Sequence, residues 1–339
     1  MGRMLGRLAR RAGRPATDGE PGARIDGAAG HTAAMKAVIG IVGTGWVGTS
    51  VAFSTLLAGH ASELWLHDQR GAVAEGEALD LADGAAFYRR CPVSAVPLER
   101  LREADIVVLA AGRNGRPDES RLDLLRDNAR IAAGIGRALS GFGGIVIVVT
   151  NPVDVLTRVV AAAGNLPAER VIGTGTLLDT ARLRERLAQR LGVSPQSVHA
   201  QVVGEHGDSS VTLWSSASVG GLALRTWPGW QAGDEALLGQ QVRRAAYEVI
   251  RRKGATNHAI GLVTAELIGC VLRDERRLLP VSRVQAGAGG IRGVALSLPA
   301  LVGAGGATQV LMPAMDDAEA QALAASAAVL ERAFQSLAG

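Results

Sequence analysis

A histidine on a glycine-framed turn is the residue of this chain best suited to proton transfer. It is His206, in the run Gly-Glu-His-Gly-Asp at 204–208, and Asp179 and Arg182 lie upstream of it. An imidazole held by an aspartate can keep its proton at neutral pH and pass it to a substrate oxygen. Three residues apart on a helix, Asp179 and Arg182 share a face, and a planar guanidinium suits a carboxylate. These groups together indicate reduction of a 2-keto acid.

A glycine-rich turn near the start of the chain predicts a dinucleotide site. The sequence Gly-Thr-Gly-Trp-Val-Gly at 43–48 follows an apolar run at 36–42 and precedes a helical pattern at 49–58. Such glycines allow a tight turn and let a pyrophosphate approach the helix N-terminus. Asp68 stands about twenty residues later, where it would bind the ribose hydroxyls and repel a 2′-phosphate. We therefore expect NAD rather than NADP as the cofactor.

The apolar runs that must position these groups alternate with helical patterns. After the first strand we expect strands at 63–67, 106–111 and 144–150, with a helix at 121–140. This alternation predicts an N-terminal doubly wound parallel sheet of the Rossmann type over residues 35–174.

From residue 175 to 339 the pattern changes, and we expect an α+β catalytic domain. Its predicted elements are a helix at 176–191, a strand at 198–203, a long helix at 235–252 continuing past Gly254, and a final helix at 316–336.

Composition and charge exclude several classes of function. The formal net charge is +4, but the first 34 residues hold six Arg against three acids, which leaves +1 for the rest. A nearly neutral body argues against nucleic-acid binding. No segment approaches the roughly 20 apolar residues of a membrane span, and the two cysteines lack metal-ligand spacing. We therefore expect a cytosolic protein with no metal site.

Residues 1–34 are rich in Arg, Gly and Ala without a lasting apolar period, which predicts disorder. Two interpretations stay open for this segment. Its Arg residues are typical of a targeting helix, or it is a superfluous extension before a true start at Met35.

Two further segments carry polar groups at strand ends. The loop at 110–121 has the length and composition of a mobile lid, and Arg121 closes it at the start of the next helix. Asn151, before Pro152, ends the fourth strand at the sheet edge where such folds bind ligands. It would hydrogen-bond a substrate oxygen or only initiate a turn.

Together these motifs resemble the L-lactate and L-malate dehydrogenase family, most closely its bacterial L-lactate dehydrogenases. The resemblance covers nearly the whole chain from Met35. It includes GTGWVG, SRLDLLRDN, TNPVD, GTGTLLDTARLR, GEHGD, KGATNHAIG and a SLSLP-like segment at 295–299.

The resemblance implies a role for each matching residue. His206 would be the proton donor and acceptor and Asp179 its orienting partner. The substrate-binding residues would be Arg121, Asn151, Arg182 and Thr256. The NAD-binding residues would be Gly43, Gly45, Val47, Gly48, Asp68, Asn128 and Asn151. The implied reaction is reversible, NADH-dependent reduction of pyruvate to L-lactate.

One lid position departs from the family pattern. Lactate dehydrogenases carry Gln and malate dehydrogenases carry Arg where this chain has Gly115, and Arg116 beside it matches a usually basic position. Without the Arg, a second substrate carboxylate would be buried unpaired at high cost, and Thr256 also fits the lactate side. The alternative function is an L-2-hydroxyacid dehydrogenase of broader substrate range; malate dehydrogenase is disfavoured.

The resemblance also implies regulation and assembly. Arg184 and His199 match residues that bind fructose 1,6-bisphosphate in activated bacterial lactate dehydrogenases, and the implied assembly is a homotetramer. Two residues along a helix turn by about 200°, so Arg184 points away from the face bearing Arg182. The alternative is that both residues are ordinary exposed side chains.

Two other classes of function compete with the dehydrogenase. An NAD- and metal-dependent glycosidase would need a metal site that Cys91 and Cys270 do not provide. A non-catalytic NAD-binding regulator would have no use for His206, Asp179 and Arg182 together.

Overall fold

The computed structural model describes residues 37–115 and 119–337, without the side chain of Arg121. The predicted disorder of residues 1–34 and the basic lid residue Arg116 lie outside these residues. The described strands are β1 Val38–Val42, β2 Glu63–His67, β3 Val93–Ala95, β4 Ile106–Leu109, β5 Ile145–Val148, β6 Val171–Gly173, β7 Val198–Val203, β8 Val211–Val219, β9 Leu222–Ala223, β10 Arg277–Ala286, β11 Arg292–Gly303 and β12 Gly306–Val310.

The helices alternate with the strands in the first half of the chain. They are α1 Trp46–Ala58, α2 Gly71–Asp83, α3 Arg121–Ala138, α4 Val153–Gly164, α5 Leu177–Leu191, α6 Ala232–Lys253, α7 His258–Leu272 and α8 Asp317–Gln335.

The first six strands form a parallel sheet in the order β3-β2-β1-β4-β5-β6. This is the strand order of a Rossmann sheet. All six strands are parallel, and the order in which the chain adds them switches from one side of β1 to the other between β1 and β4. The central strands are buried on both faces: β4 and β5 are buried at every position. Hence their sequences are continuous apolar runs rather than alternating ones. The predicted fold class is confirmed.

The same sheet continues into the second half of the chain. Strand β10 pairs antiparallel with β6 at Ser282 and Gly173, and β11 and β12 follow it as antiparallel hairpins. A smaller sheet of β7, β8 and β9 packs with α5 and α6 around buried Leu183, Leu187 and Val202. An isolated bridge between Gly204 and Ser297 joins the end of β7 to β11.

The prediction that the long helix continues past Gly254 is wrong. Helix α6 ends at Lys253, and Gly254 adopts a left-handed conformation with φ 87°. Its N–H donates to the Ile250 carbonyl, which closes the helix. The chain then runs through Ala255 and Thr256 before α7 begins at His258. This break matters because it frees Thr256 from the helix at the candidate active site.

Candidate active site

Helix α5 presents an aspartate and an arginine on one face. Asp179 lies in its first turn, where a carboxylate is favoured by the helix dipole, and it is 7% exposed. The Arg182 Nη1 lies 3.0 Å from Asp179 Oδ1, with 17% of the Arg182 side chain exposed. One guanidinium nitrogen is thus engaged, and the remaining donors of Arg182 stay available for an anion.

The turn after β7 brings His206 to this pair. Gly204 adopts φ 83°, a conformation that favours glycine, and it exchanges two backbone hydrogen bonds with Ser297. The His206 Nδ1 lies 2.5 Å from Asp179 Oδ2. This contact fixes the ring and leaves Nε2 for another partner.

The two groups shift each other's pKa in opposite directions. Burial lowers the pKa of His206, but the charge and hydrogen bond of Asp179 outweigh it, so the pKa lies above its usual value. Burial raises the pKa of Asp179, but His206 and Arg182 outweigh that effect and the net pKa is lowered. The arrangement favours an imidazolium beside a carboxylate near neutral pH.

A small cavity of about 100 Å³ opens in front of His206. It is also lined by Asn151, Arg182 and Thr256 from three different segments, and by Val47 from α1. Drug-sized ligands occupy pockets of about 300–1,000 Å³, so this cavity suits an acid of a few carbon atoms. Asn151 lies next to a cis peptide bond to Pro152, and its Oδ1 accepts the Val153 N–H.

A larger cleft of about 690 Å³ lies at the carboxyl ends of β1 and β4. It is lined by Gly43, Gly45, Asp68 and Gly112, at the point where the strand order reverses. Ligands of open α/β sheets bind at this point.

Three glycines of the turn at 43–48 meet the steric requirements of a dinucleotide-binding turn. A Cβ on Gly43 would lie 2.5 Å from the Ala111 backbone, and one on Gly48 would lie 1.8 Å from the Gly43 carbonyl oxygen. Both positions therefore need glycine for close packing. No heavy atom lies within 4 Å of a Cβ on Gly45, so the space beside it is open toward the N-terminus of α1.

Asp68 at the end of β2 is ready to accept ribose hydroxyls. Its Oδ2 accepts the Thr44 N–H at 3.0 Å and its Oδ1 accepts the Arg70 N–H at 3.0 Å. Burial raises its pKa, but these N–H groups outweigh that effect and keep the pKa low. Each carboxylate oxygen retains acceptor capacity.

Asn128 contacts neither the small cavity nor the large cleft. It is 3% exposed, and its side chain bonds the N–H and carbonyl of Arg113 and the Asn151 carbonyl. It therefore braces the lid base against the Asn151 segment. Arg113 itself is paired with Asp127 at 2.7 Å and with Glu119, a connection that motif analysis missed.

The two predicted effector residues lie outside the cavity. Arg184 Nε donates to the Ala200 carbonyl at 3.0 Å, and the neighbouring His199 is exposed on β7. Burial and the nearby charge of Arg277 lower the pKa of Arg184. Arg277 is itself paired with the carboxylates of Glu266 and Glu275.

Asp154 is a site-adjacent residue that the sequence analysis did not single out. It is 2% exposed, and its Oδ2 accepts the backbone N–H of His206 at 2.7 Å. Its position three residues after Asn151 was the one sequence feature that could have indicated Asp154. Its partner His206 lies 52 residues further along the chain, so their contact could not be inferred from the sequence.

The part of the chain that the structure describes holds neither a candidate metal site nor a candidate membrane span. No three His, Cys, Asp or Glu side chains in 37–115 and 119–337 are grouped so that they could hold a metal ion. Nor does any described helix combine the length and apolar character needed to cross a membrane.

Two family models together match almost all of the described fold. The lactate/malate dehydrogenase NAD binding domain matches residues 37–173, and the lactate/malate dehydrogenase alpha/beta C-terminal domain matches residues 176–338. An L-lactate dehydrogenase of Salinibacter ruber is 45% identical over 303 residues, covering 87% of this chain and 96% of the relative. One from Synechococcus sp. is 42% identical, covering 88% of this chain and 98% of the relative.

Solved structures of lactate dehydrogenases also superpose on this chain. The minor L-lactate dehydrogenase from Enterococcus mundtii, in a ligands-bound form, superposes with a TM-score of 0.86 at 38% identity, covering 89% of this chain and 98% of that one. A lactate dehydrogenase from a Medee basin deep-sea metagenome superposes with a TM-score of 0.86 at 35% identity, covering 90% and 99%.

The N-terminal family model describes an NAD-binding domain, and its residues form the larger cleft. The cofactor is therefore NAD, and the protein is an oxidoreductase. The chain belongs to the lactate/malate dehydrogenase family.

Proposed function

We propose that the protein is an L-lactate dehydrogenase, which reduces pyruvate to L-lactate with NADH and catalyses the reverse reaction with NAD. The observation that carries this proposal is the contact between His206, Asp179 and Arg182 at the edge of a cavity of about 100 Å³. Curated relatives at 42–45% identity are named L-lactate dehydrogenases.

In the proposed reaction, each residue has one task. Arg182 pairs with the substrate carboxylate, while Asn151 and Arg121 contact the oxygen on C2. The protonated His206 gives its Nε2 proton to that oxygen as C2 is reduced, and Asp179 stabilises the imidazolium before transfer. Bound NADH supplies the hydride that C2 accepts. Thr256, which lines the cavity, would contact the substrate methyl group.

Replacing His206 with Gln tests this assignment. Without a titratable ring, kcat for pyruvate should fall by about 10²–10⁴-fold, while NADH binding, followed by its fluorescence, should stay within about twofold. Wild-type-like turnover in the variant would refute the role of His206. A wild-type protein that binds NADH but reduces no 2-keto acid would refute the dehydrogenase proposal.

The alternative within this proposal is a broader range of 2-keto acids. A Cβ on Gly115 would lie 3.2 Å from Leu124 Cδ2, so a larger residue there must displace Leu124. The test compares kcat/KM for pyruvate, 2-ketobutyrate, 2-ketoisocaproate and oxaloacetate in the wild type and in Gly115→Gln. A broad enzyme should lose relative activity on the longer acids in the variant. Better wild-type use of pyruvate than of both longer acids contradicts the broad range.

We also propose that Arg184 and His199 bind fructose 1,6-bisphosphate at an interface of a homotetramer. Burial and the charge of Arg277 lower the pKa of Arg184, and a phosphate group bound beside Arg184 would favour its charged form. Initial rates at subsaturating pyruvate should rise with the bisphosphate in the wild type and not in Arg184→Gln. Arg190→Gln, on the same helix but paired with Asp234, is the control. No response of the wild type removes the proposal.

The cytosol is the proposed compartment. Cys91 and Cys270 are both free and buried, which suits a reducing environment. Cell fractionation tests the location, and sedimentation analysis tests whether the particle holds four chains.

A further inference from the structure

Asp154 is a buried carboxylate that the proposed reaction does not use. It is the second residue of α4 and follows the Asn151-Pro152 segment. Through the 2.7 Å bond from the His206 N–H to its Oδ2, it connects the loop of the proton donor to the segment that carries Asn151.

The surroundings of this carboxylate are unusual for a buried acid. The ion pairs found among the described residues do not include Asp154. Its Oδ1 and the nearby Ser282 hydroxyl are both buried without a hydrogen-bond partner of normal geometry in the described structure. A buried carboxylate normally has a counter-charge or several hydrogen bonds. The charged groups that act on it are His206 and Glu205.

We propose that Asp154 is a second positioning residue for His206. Asp154 holds the backbone of the loop at 204–208, and its negative charge supports the imidazolium. Asp179 would orient the imidazole ring through its contact with Nδ1. Asp154 would accept the backbone N–H of His206, and its charge would stabilise the imidazolium without touching the ring. This inference rests on the proposed function, in which His206 is the proton donor.

The pKa directions agree with this role. After Asp179, the charge of Asp154 also raises the pKa of His206, whereas Arg182 lowers it. Burial raises the pKa of Asp154, and the Ser282 hydroxyl and the His206 N–H oppose part of this rise. The net pKa is about 6. Asp154 is therefore mostly ionised when His206 titrates above pH 6.5, so its charge is present when it is needed.

Asp154→Asn separates charge from shape, because an amide oxygen can still accept the His206 N–H. The pH midpoint of kcat/KM for pyruvate should move down by about one unit, because His206 loses its proton at lower pH. NADH binding should not change. A lower thermal midpoint with an unmoved pH midpoint would mean a merely structural role and would overturn the proposal.

Ser282→Ala is the second variant, because it leaves the hydrogen bonds of His206 in place. Without the hydroxyl, the pKa of Asp154 should rise, so more Asp154 is neutral while His206 titrates. The midpoint should then move down by a fraction of a unit. If neither variant moves it, Asp154 does not support the imidazolium.

A turnover-independent measurement separates this inference from the proposed function. Ring-proton NMR gives the pKa of His206 directly, with the resonance assigned by its loss in His206→Gln. A lower pKa in Asp154→Asn supports the inference even if pyruvate is not the substrate. An equal pKa in wild type and variant overturns the inference even if pyruvate is reduced.

Discussion

Asp179 contacts two basic side chains, Arg182 at 3.0 Å and His206 at 2.5 Å. Because Asp179 holds the pKa of His206 above its usual value, the ring stays protonated to a higher pH than a free histidine side chain. Pyruvate reduction should therefore decline as the pH rises through this raised value. L-lactate oxidation needs the neutral ring and should rise across the same range.

In Asp179→Asn, burial would act on His206 without its main opposing charge, and the pKa of His206 should fall below that of the wild type. The midpoints of both pH profiles should move down, and kcat for pyruvate at pH 7.5 should fall by about 10²-fold. Steady-state rates from pH 5 to 9 measure this. Asp234→Asn, which removes a surface partner of Arg190, should leave the profile unchanged. An unmoved midpoint in Asp179→Asn would contradict the assignment.

Asp68 is the residue we propose to select the cofactor, because its charge would repel a 2′-phosphate on the adenosine ribose. Arg70 lies 3.5 Å away with 67% of its side chain exposed. In Asp68→Ser the repulsion is lost and Arg70 becomes available for the phosphate. The ratio of kcat/KM for NADPH to that for NADH should rise about tenfold, or about 1.4 kcal/mol. Adding Arg70→Ala should cancel much of this gain; a gain that survives would exclude Arg70 as its source.

At the scale of elements, the glycine that follows β7 sets the geometry of the loop at 204–208 that carries His206. Gly204 has φ 83°, and a Cβ there would lie 2.8 Å from Ser326 Oγ on α8. Gly204→Ala should destabilise the protein by about 1–3 kcal/mol and reduce kcat. Gly220, with φ 56° and no heavy atom within 4 Å of its Cβ, is a matched control.

Gly220→Ala should share the backbone strain but not the clash or the loss of kcat. Thermal midpoints and pyruvate kinetics of both variants measure the difference. Equal effects on stability and kcat at the two positions would show that contact with α8 is unimportant for the loop.

Some elements were predictable because one local signal determines them. Strands β2 and β7 have the predicted bounds, and β1 and α5 differ by two residues at most. Helix α4 was not predicted because nine of its twelve residues are buried, so it lacks the polar face that marks a surface helix. Strands β10 and β11 each contain a proline, at Pro280 and Pro299, which argues against a strand in a sequence-based assignment.

Ordered motifs in the sequence pointed to His206, Asp179 and Arg182 as one group, and in the structure Asp179 contacts both basic side chains. Contacts between segments that are far apart in the sequence could not be predicted. The bond from His206 to Asp154 and the pairing of Arg113 with Asp127 depend on how the loops pack. The bonds of the Asn128 side chain to Arg113 and Asn151 were likewise not predicted, and its assignment to NAD binding stays a prediction.

At the scale of the whole molecule, one sheet runs through both regions matched by the family models. The NAD-binding region ends at β6, and β10 pairs with that strand from the C-terminal region. Ser297 of β11 bonds the N–H of Thr176 before α5 and the backbone of Gly204. The residues around His206 are therefore held by β11 of the C-terminal region and, through the bond from the His206 N–H to Asp154, by α4 of the NAD-binding region.

This continuity predicts that both regions unfold in one cooperative transition. The chain contains five tryptophans, of which Trp46 and Trp65 lie in the first region. In the double variant Trp46→Phe, Trp65→Phe, fluorescence reports only on Trp214, Trp227 and Trp230 in the second region. Its urea midpoint should coincide with that of far-UV circular dichroism, which reports on helices of both regions. A fluorescence midpoint separated from the dichroism midpoint, or a plateau between two transitions, would mean that the pairing of β6 with β10 does not couple the two regions.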